Sequence, residues 1–186
     1  MENVNLTGHF LIAMPAMTDP HFVKSVTYIC QHNETGAMGI VINRPMQLNL
    51  DSIFTQLHLN IFDLSIANQP AQFGGPMQIE RGFILHQPPG SWEATIAING
   101  ETALTISKDI LEAVANGKGP DKFLVALGFA GWSSGQLEDE ISKNAWLTVR
   151  ASNEIIFDTQ NQDKLSSAMN LLGVDYARLS EVAGHA

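Results

Sequence analysis

The sequence has one cysteine, Cys30, so no disulfide can close within the chain and a fold held by covalent cross-links is excluded. Positive charge is scarce: ten Lys and Arg against nineteen Asp and Glu give a formal net charge of −9. The cations are scattered, and only Lys118 and Lys122 stand close together. A duplex-binding surface needs clustered cations to displace counterions from phosphates, so direct nucleic-acid binding is disfavoured. Long hydrophobic runs are missing as well. Phe10-Leu11-Ile12-Ala13-Met14 soon meets Pro15, and Met1-Glu2-Asn3 carries no basic n-region. Neither a signal peptide nor a membrane span is expected, which points to a cytoplasmic protein.

Metal and nucleotide signatures are also lacking. The six histidines show no H-x-x-x-H or H-E-x-x-H spacing, and no Walker lysine or complete G-x-G-x-x-G accompanies the glycines. No metal and no cofactor are expected. Internal repeats and low-complexity tracts are absent.

What remains is core-forming material. With 186 residues, 45% of them hydrophobic and 16% charged, the chain suits one domain over residues 1–186. Asp19-Pro20 has helix-start chemistry, which predicts a short helix through His21–Lys24. Strands are expected over Val26–His32 and Met38–Asn43, joined through Asn33–Gly36, with Cys30 as a buried, inert thiol. Leu50, Ile53, Phe54 and Leu57 recur at helical spacing after Asn49. Residues 58–72 read as a looser stretch. Gln72-Phe73 and Ile79–His86 read as strands around the breaker Gly74-Gly75-Pro76. Asn99-Gly100, between two alternating runs, predicts a two-residue type I′ hairpin.

Ser107 can cap a helix carrying Ile110, Leu111 and Val114, ended by Asn116-Gly117. Phe123–Phe129 is a continuous apolar run of the kind found in a strand buried on both faces, and Leu137 with Ile141 gives the segment after it a helical stripe. Trp146–Val149 and Ile155–Phe157 are expected to form a strand pair. A last helix carries Leu165, Ala168, Met169 and Leu172 and stops at Gly173. Hairpins mixed with isolated helices, without strict βαβ alternation, indicate an α+β fold.

Several long segments, in order, carry a resemblance: Gly8–Pro15, Ser25–Cys30, Gly36–Pro45, Gly74-Gly75-Pro76, Arg81–His86, Ala126–Trp132, Gly135–Glu138 and Asn144–Leu147. Across nearly the whole chain the sequence closely resembles the bacterial YqgE/AlgH family. The resemblance implies a coiled, bifurcated, mostly antiparallel β-sheet containing a small closed barrel, flanked by helices. Members often carry a transcriptional-regulator label. The sequence departs from the family at Gln31, where Glu is common, at Glu80, where Asp is common, and at Leu165, near a usual Trp.

Candidate functional residues follow from side-chain chemistry. Asn43-Arg44-Pro45 ends a strand, and the Arg44 guanidinium can grip a carboxylate or phosphate bidentately, with Arg81 as a second cation. The alternative is that each arginine pairs internally with Glu138, Asp139 or Glu140. Gly74, Gly75 and Pro76 permit close ligand approach or simply make a tight turn. His86 can move a proton or satisfy a core hydrogen bond. Trp132 can anchor a ligand or pack, while Gln136, Glu138 and Glu140 lie on the helix that follows, Gln136 and Glu140 sharing a face.

Gly131-Trp132-Ser133-Ser134-Gly135 formally matches G-x-S-x-G, with Asp158 and His185 downstream as partners for a Ser133 nucleophile. The chain is short for a hydrolase of that type. The expected function is therefore a regulatory module that binds a small molecule or a protein through a shallow polar groove near Arg44, Gly74, Gly75, Arg81, Trp132 and Gln136. The alternatives are a transcription regulator and a hydrolase using Ser133.

Overall fold

Alternating apolar residues build most of the chain into strands, and three glycines decide how those strands are joined. A computed structural model of the protein describes residues 4–183. The first strands are β1 (His9–Ala13), β2 (Val26–Asn33), β3 (Gly36–Val41) and β4 (Pro45–Asn49), followed by helices α1 (Leu50–Gln56) and α2 (Leu64–Ala67). Next come β5 (Pro70–Phe73), β6 (Met77–Gln87), β7 (Thr95–Ala97), β8 (Ala103–Thr105) and α3 (Asp109–Ala115). The chain continues through β9 (Lys122–Ser133), α4 (Gln136–Ser142), β10 (Trp146–Arg150), α5 (Asn153–Phe157), α6 (Asn161–Leu171) and α7 (Tyr176–Ala183).

Antiparallel pairing runs in the order β10-β1-β2-β3-β9-β6-β8-β7. β9 is the spine at which the sheet forks. Its residues Ala130–Ser133 pair with β3, while Ala126 and Leu127 pair in parallel with β5, which in turn carries β4. Its other edge pairs with β6. At the fork Gly74 N–H donates to Leu127 O and Gly74 O accepts from Val41 N–H, so one residue stitches the two branches together. The backbones touch there. A Cβ on Gly74 would lie 2.3 Å from Gly128 O, one on Gly75 2.1 Å from Phe129 C, and one on Gly128 2.3 Å from Gly75 O.

Gly128, at φ 76°, also reverses the facing of β9. Before it, Leu124 and Ala126 point into the concave core while Val125 points to the outer face. After it, Phe129 points inward and Ala130 and Trp132 point outward, as expected where an extra residue breaks the period of two. β9, whose apolar run reads as one buried strand, therefore serves three cores. The concave core holds Phe10, Ile12, Tyr28, Ile40 and Leu85, and it is filled by Ile155, Ile156, Ala168 and Met169 of α5 and α6. Leu137 of α4 closes a second core on one branch, and α1 with α3 closes a third on the other.

The curled sheet is a half-barrel, not the small closed barrel that the resemblance implies. The ladder stays open from β10 to β7, and α5 and α6 occupy its concave side. Ile155–Phe157, expected as a strand, lies within α5. Strand propensity loses there because both isoleucines are buried in the concave core, on a helix rather than a ladder. Residues 21–24 form a turn rather than a helix, and Lys24 sits at φ 56°. Asn99-Gly100 is not a type I′ turn: Ala97 pairs with Ala103, and neither central residue has positive φ. Asn99 Oδ1 instead accepts from the N–H groups of Glu101 and Thr102. The stretch 58–72, expected to be loose, contains α2 and the start of β5.

Lys164 is 3% exposed, and its Nζ donates to Ile42 O at 2.7 Å. Burial pulls its pKa down from 10.5 to about 8. Between those values the unfolded chain holds a proton that the folded chain has lost, so the lysine's contribution to stability rises with pH across that window. Urea titrations should show wild type gaining up to about 3 kcal/mol relative to Lys164→Met from pH 8 to 10.5; a flat difference would refute the shift. Gly75→Ala should cost more than about 3 kcal/mol in the same assay, against less than about 1 kcal/mol for Gly100→Ala, because a Cβ at Gly100 meets nothing within 4 Å.

Candidate functional site

β9 ends at Trp132-Ser133, and Gly135 at φ 75° turns the chain into α4. The outward facing set at Gly128 places the Trp132 ring against Trp146 of β10, with centroids 6.0 Å apart and planes at 78°. Phe22 packs against both rings. Glu140 joins this cluster to the helix: its Oε2 accepts from Trp132 Nε1 at 2.9 Å and from Trp146 Nε1 at 2.8 Å. Its Oε1 accepts from Gln136 Nε2 at 2.9 Å. Gln136 Oε1 in turn accepts from Ser133 N–H at 2.9 Å and from Ser133 Oγ at 3.2 Å. Trp132, Gln136 and Glu140 thus form one internal network.

Glu138, two residues from Gln136, projects elsewhere, toward β2. Leu6 N–H donates to His32 Nδ1 at 3.0 Å, so Nδ1 is an acceptor and the ring proton resides on Nε2. Nε2–H then donates to Glu138 Oε1 at 2.7 Å. Glu138's own backbone N–H and the His32 contact hold its carboxyl below the usual glutamate value, against an opposing effect of burial. This pair borders a groove of about 830 Å³ between the β2–β3 hairpin and the start of α4. Asn5, Asn33, Glu34, Thr35 and Ser134 supply its other polar walls. Ser134 Oγ donates to Glu34 O at 2.7 Å and pins the hairpin to the β9–α4 junction.

Of the residues singled out from sequence, Glu138 alone borders this groove. Arg44 lies elsewhere, and it does not pair with Glu138, Asp139 or Glu140. Its Nη1 donates to Pro20 O and His21 O at 2.7 Å each, and its Nη2 donates to Val23 O at 2.5 Å. The guanidinium binds the carbonyls of the residue 20–23 turn, not an acid. Asn43 braces the same joint, accepting from Val26 N–H and donating to Lys24 O. Gly74 and Gly75 are filled by the backbone crossing, and Pro76 follows them, exposed. Arg81 is exposed on β6, without a hydrogen bond or ion pair among the described residues.

His86 is fully buried, 2.9 Å from Pro88 O and 2.7 Å from Thr105 Oγ1. Burial pulls its pKa down, opposed by the Pro88 bond, so it is a satisfied core group. Ser133 contacts Gln136, with no histidine hydrogen-bonded to it among the described residues, and Asp158 pairs with Lys122. His185 lies outside the described residues. Reading the sequence overlooked His32 as a wall of the groove. A bulge between Ile29 and Gln31 turns it to the outer face, whereas strict alternation would group it with Tyr28 and Cys30.

The forked half-barrel, a mostly antiparallel sheet mixed with helices, defines the class of protein, and comparison with known proteins places it further. The AlgH-like family profile, DUF179, matches residues 10–177. UPF0301 proteins of Thiobacillus denitrificans and Nitrosospira multiformis are each 54% identical over 186 residues, covering 100% of both chains. The solution structure of the AlgH protein from Pseudomonas aeruginosa superposes with a TM-score of 0.82 at 46% identity, covering 97% of this chain and 95% of that one. A crystal structure from Corynebacterium diphtheriae shares the fold at a TM-score of 0.74 and 18% identity, over 97% of this chain and 94% of that one. The chain belongs to the AlgH-like family. No helix among the described residues is long and apolar enough to cross a membrane.

Removing the Glu140 carboxylate strands two buried indole N–H groups, each costing about 1–3 kcal/mol. Glu140→Ala should therefore lower stability by about 3 kcal/mol and shift tryptophan emission, while the more exposed Glu138→Ala costs much less. Equal losses in the two variants would contradict this division of roles.

Proposed function

We propose that the protein is a cytoplasmic regulatory binding module that takes a small polar molecule or a partner's segment in the groove beside His32 and Glu138. The groove itself carries this reading: about 830 Å³ of space into which side-chain hydroxyls, amides and carboxylates converge. The His32–Glu138 pair favours binding over base catalysis, since both imidazole nitrogens are committed, one to Leu6 N–H and the other to Glu138. Among the described residues Ser133 bonds to Gln136 and to no base, which gives the G-x-S-x-G match no mechanism there. Any influence on transcription runs through the bound ligand or partner rather than DNA contact, given a net charge of −9 and scattered cations.

Native mass spectrometry of the protein purified from its own cytoplasm tests the reading. Wild type should carry a retained molecule or partner, and Ser134→Trp, which fills the groove from an exposed position, should lose it. Equal retention by both proteins, or a bare wild type, would reject the groove as the site.

A further inference from the structure

A second cavity, of about 380 Å³, opens where the β7–β8 loop approaches the end of β10 and the start of α5. Its polar wall has fixed directions. Asn99 Oδ1 accepts from the N–H groups of Glu101 and Thr102 at 2.8 and 2.9 Å and from the Thr102 hydroxyl at 3.1 Å. The Thr102 proton is thereby used, so the Tyr28 hydroxyl donates to Thr102 Oγ1 at 2.8 Å. Burial pushes the Tyr28 pKa up to about 12, which keeps that proton in place. The Asn99 amide is locked, with its NH2 group 3.5 Å from the Tyr28 hydroxyl.

Two charges face this cavity without satisfying each other. The Arg150 side chain makes no hydrogen bond or ion pair among the described residues, although it borders the same space as Glu101. Glu101 Oε2 accepts from Asn153 Nδ2 at 2.5 Å, and Oε1 has no partner among the described residues. An exposed guanidinium and a half-used carboxylate that line one small cavity without forming an ion pair call for a ligand bearing both opposite charges. A carboxylate alone would meet Arg150 but face the Glu101 charge, and an amine alone would meet the converse. Gly8, Gly100 and Ala151 complete the wall and leave little apolar surface for a large side chain.

We propose that this cavity binds a small zwitterion of the α-amino acid class, its carboxylate on Arg150 and its ammonium on Glu101. The site is separate from the groove beside Glu138 and does not depend on it. Amide NMR titrations of the full chain with glycine and L-serine, against acetate and methylamine as half-ligands, provide the test. Glycine or serine should give saturable shifts at Gly8, Gly100 and Ala151, with a Kd at least about tenfold below that of either half-ligand. Arg150→Gln and Glu101→Gln should each weaken binding by about tenfold or more. Both positions are exposed, so spectra unchanged away from the cavity will verify that these variants fold. Absence of saturable shifts at about 10 mM, acetate binding as tightly as glycine, or undiminished binding by both variants would overturn the proposal.

Discussion

Backbone-on-backbone contact between Gly74-Gly75 and Gly128 is the constraint on which the architecture rests. Two branches of one sheet leave β9 at this point, and they can do so only where chains approach more closely than any side chain allows. Its second effect is on facing. By adding a residue to the ladder, Gly128 gives one strand an inner surface and two different outer ones. The covering helices follow from that division: α5 and α6 fill the concavity, α4 covers one branch, and α1 and α3 cover the other. Asn43 and Arg44 reinforce the joint by holding the residue 20–24 turn against the end of β3.

The candidate site inherits its geometry from the same point. Trp132 faces outward because the period of two is broken four residues earlier, and α4 then packs over it through Glu140. With Gln136 and Glu140 committed to each other, to Ser133 and to the two indoles, Glu138 is left to reach His32 beside the groove. The polar residues of α4 thus divide into an internal brace and a groove wall, a division expected when neighbouring helical positions face different ways. The brace is fully satisfied, three N–H donors on one carboxylate, and it fixes the helix that carries the wall.

Much of the fold was legible from alternation and turn chemistry. The β2–β3 hairpin, the strand core of β6 and the helices around Leu111, Leu137 and Ala168 all carry periodic apolar patterns that tertiary packing leaves intact. Ile155–Phe157 was misread because β-branched residues have strand propensity, while their place on a helix is set by a concavity made of distant strands. The intramolecular partners of Arg44 escaped notice for a related reason: they are carbonyls of a turn some twenty residues earlier, and carbonyls have no residue-type signature. His32 escaped notice because bulges are silent in sequence, and one at Cys30 decides which side of the sheet it occupies. Within α4, the spacing of Gln136, Glu138 and Glu140 was readable, although which of them faced a groove was not.

The reversal at Gly128 means that β9 is read in two frames. Were position 128 an ordinary extended residue, strict alternation would run through it and swing Trp132 to the concave side and Phe129 to the outer one, whereas deleting Gly128 outright would leave both facing as they do. The sheet therefore stores part of its shape in one residue's backbone conformation, and a side chain at position 128 would be far less tolerated than exchange of one apolar side chain for another elsewhere in the strand.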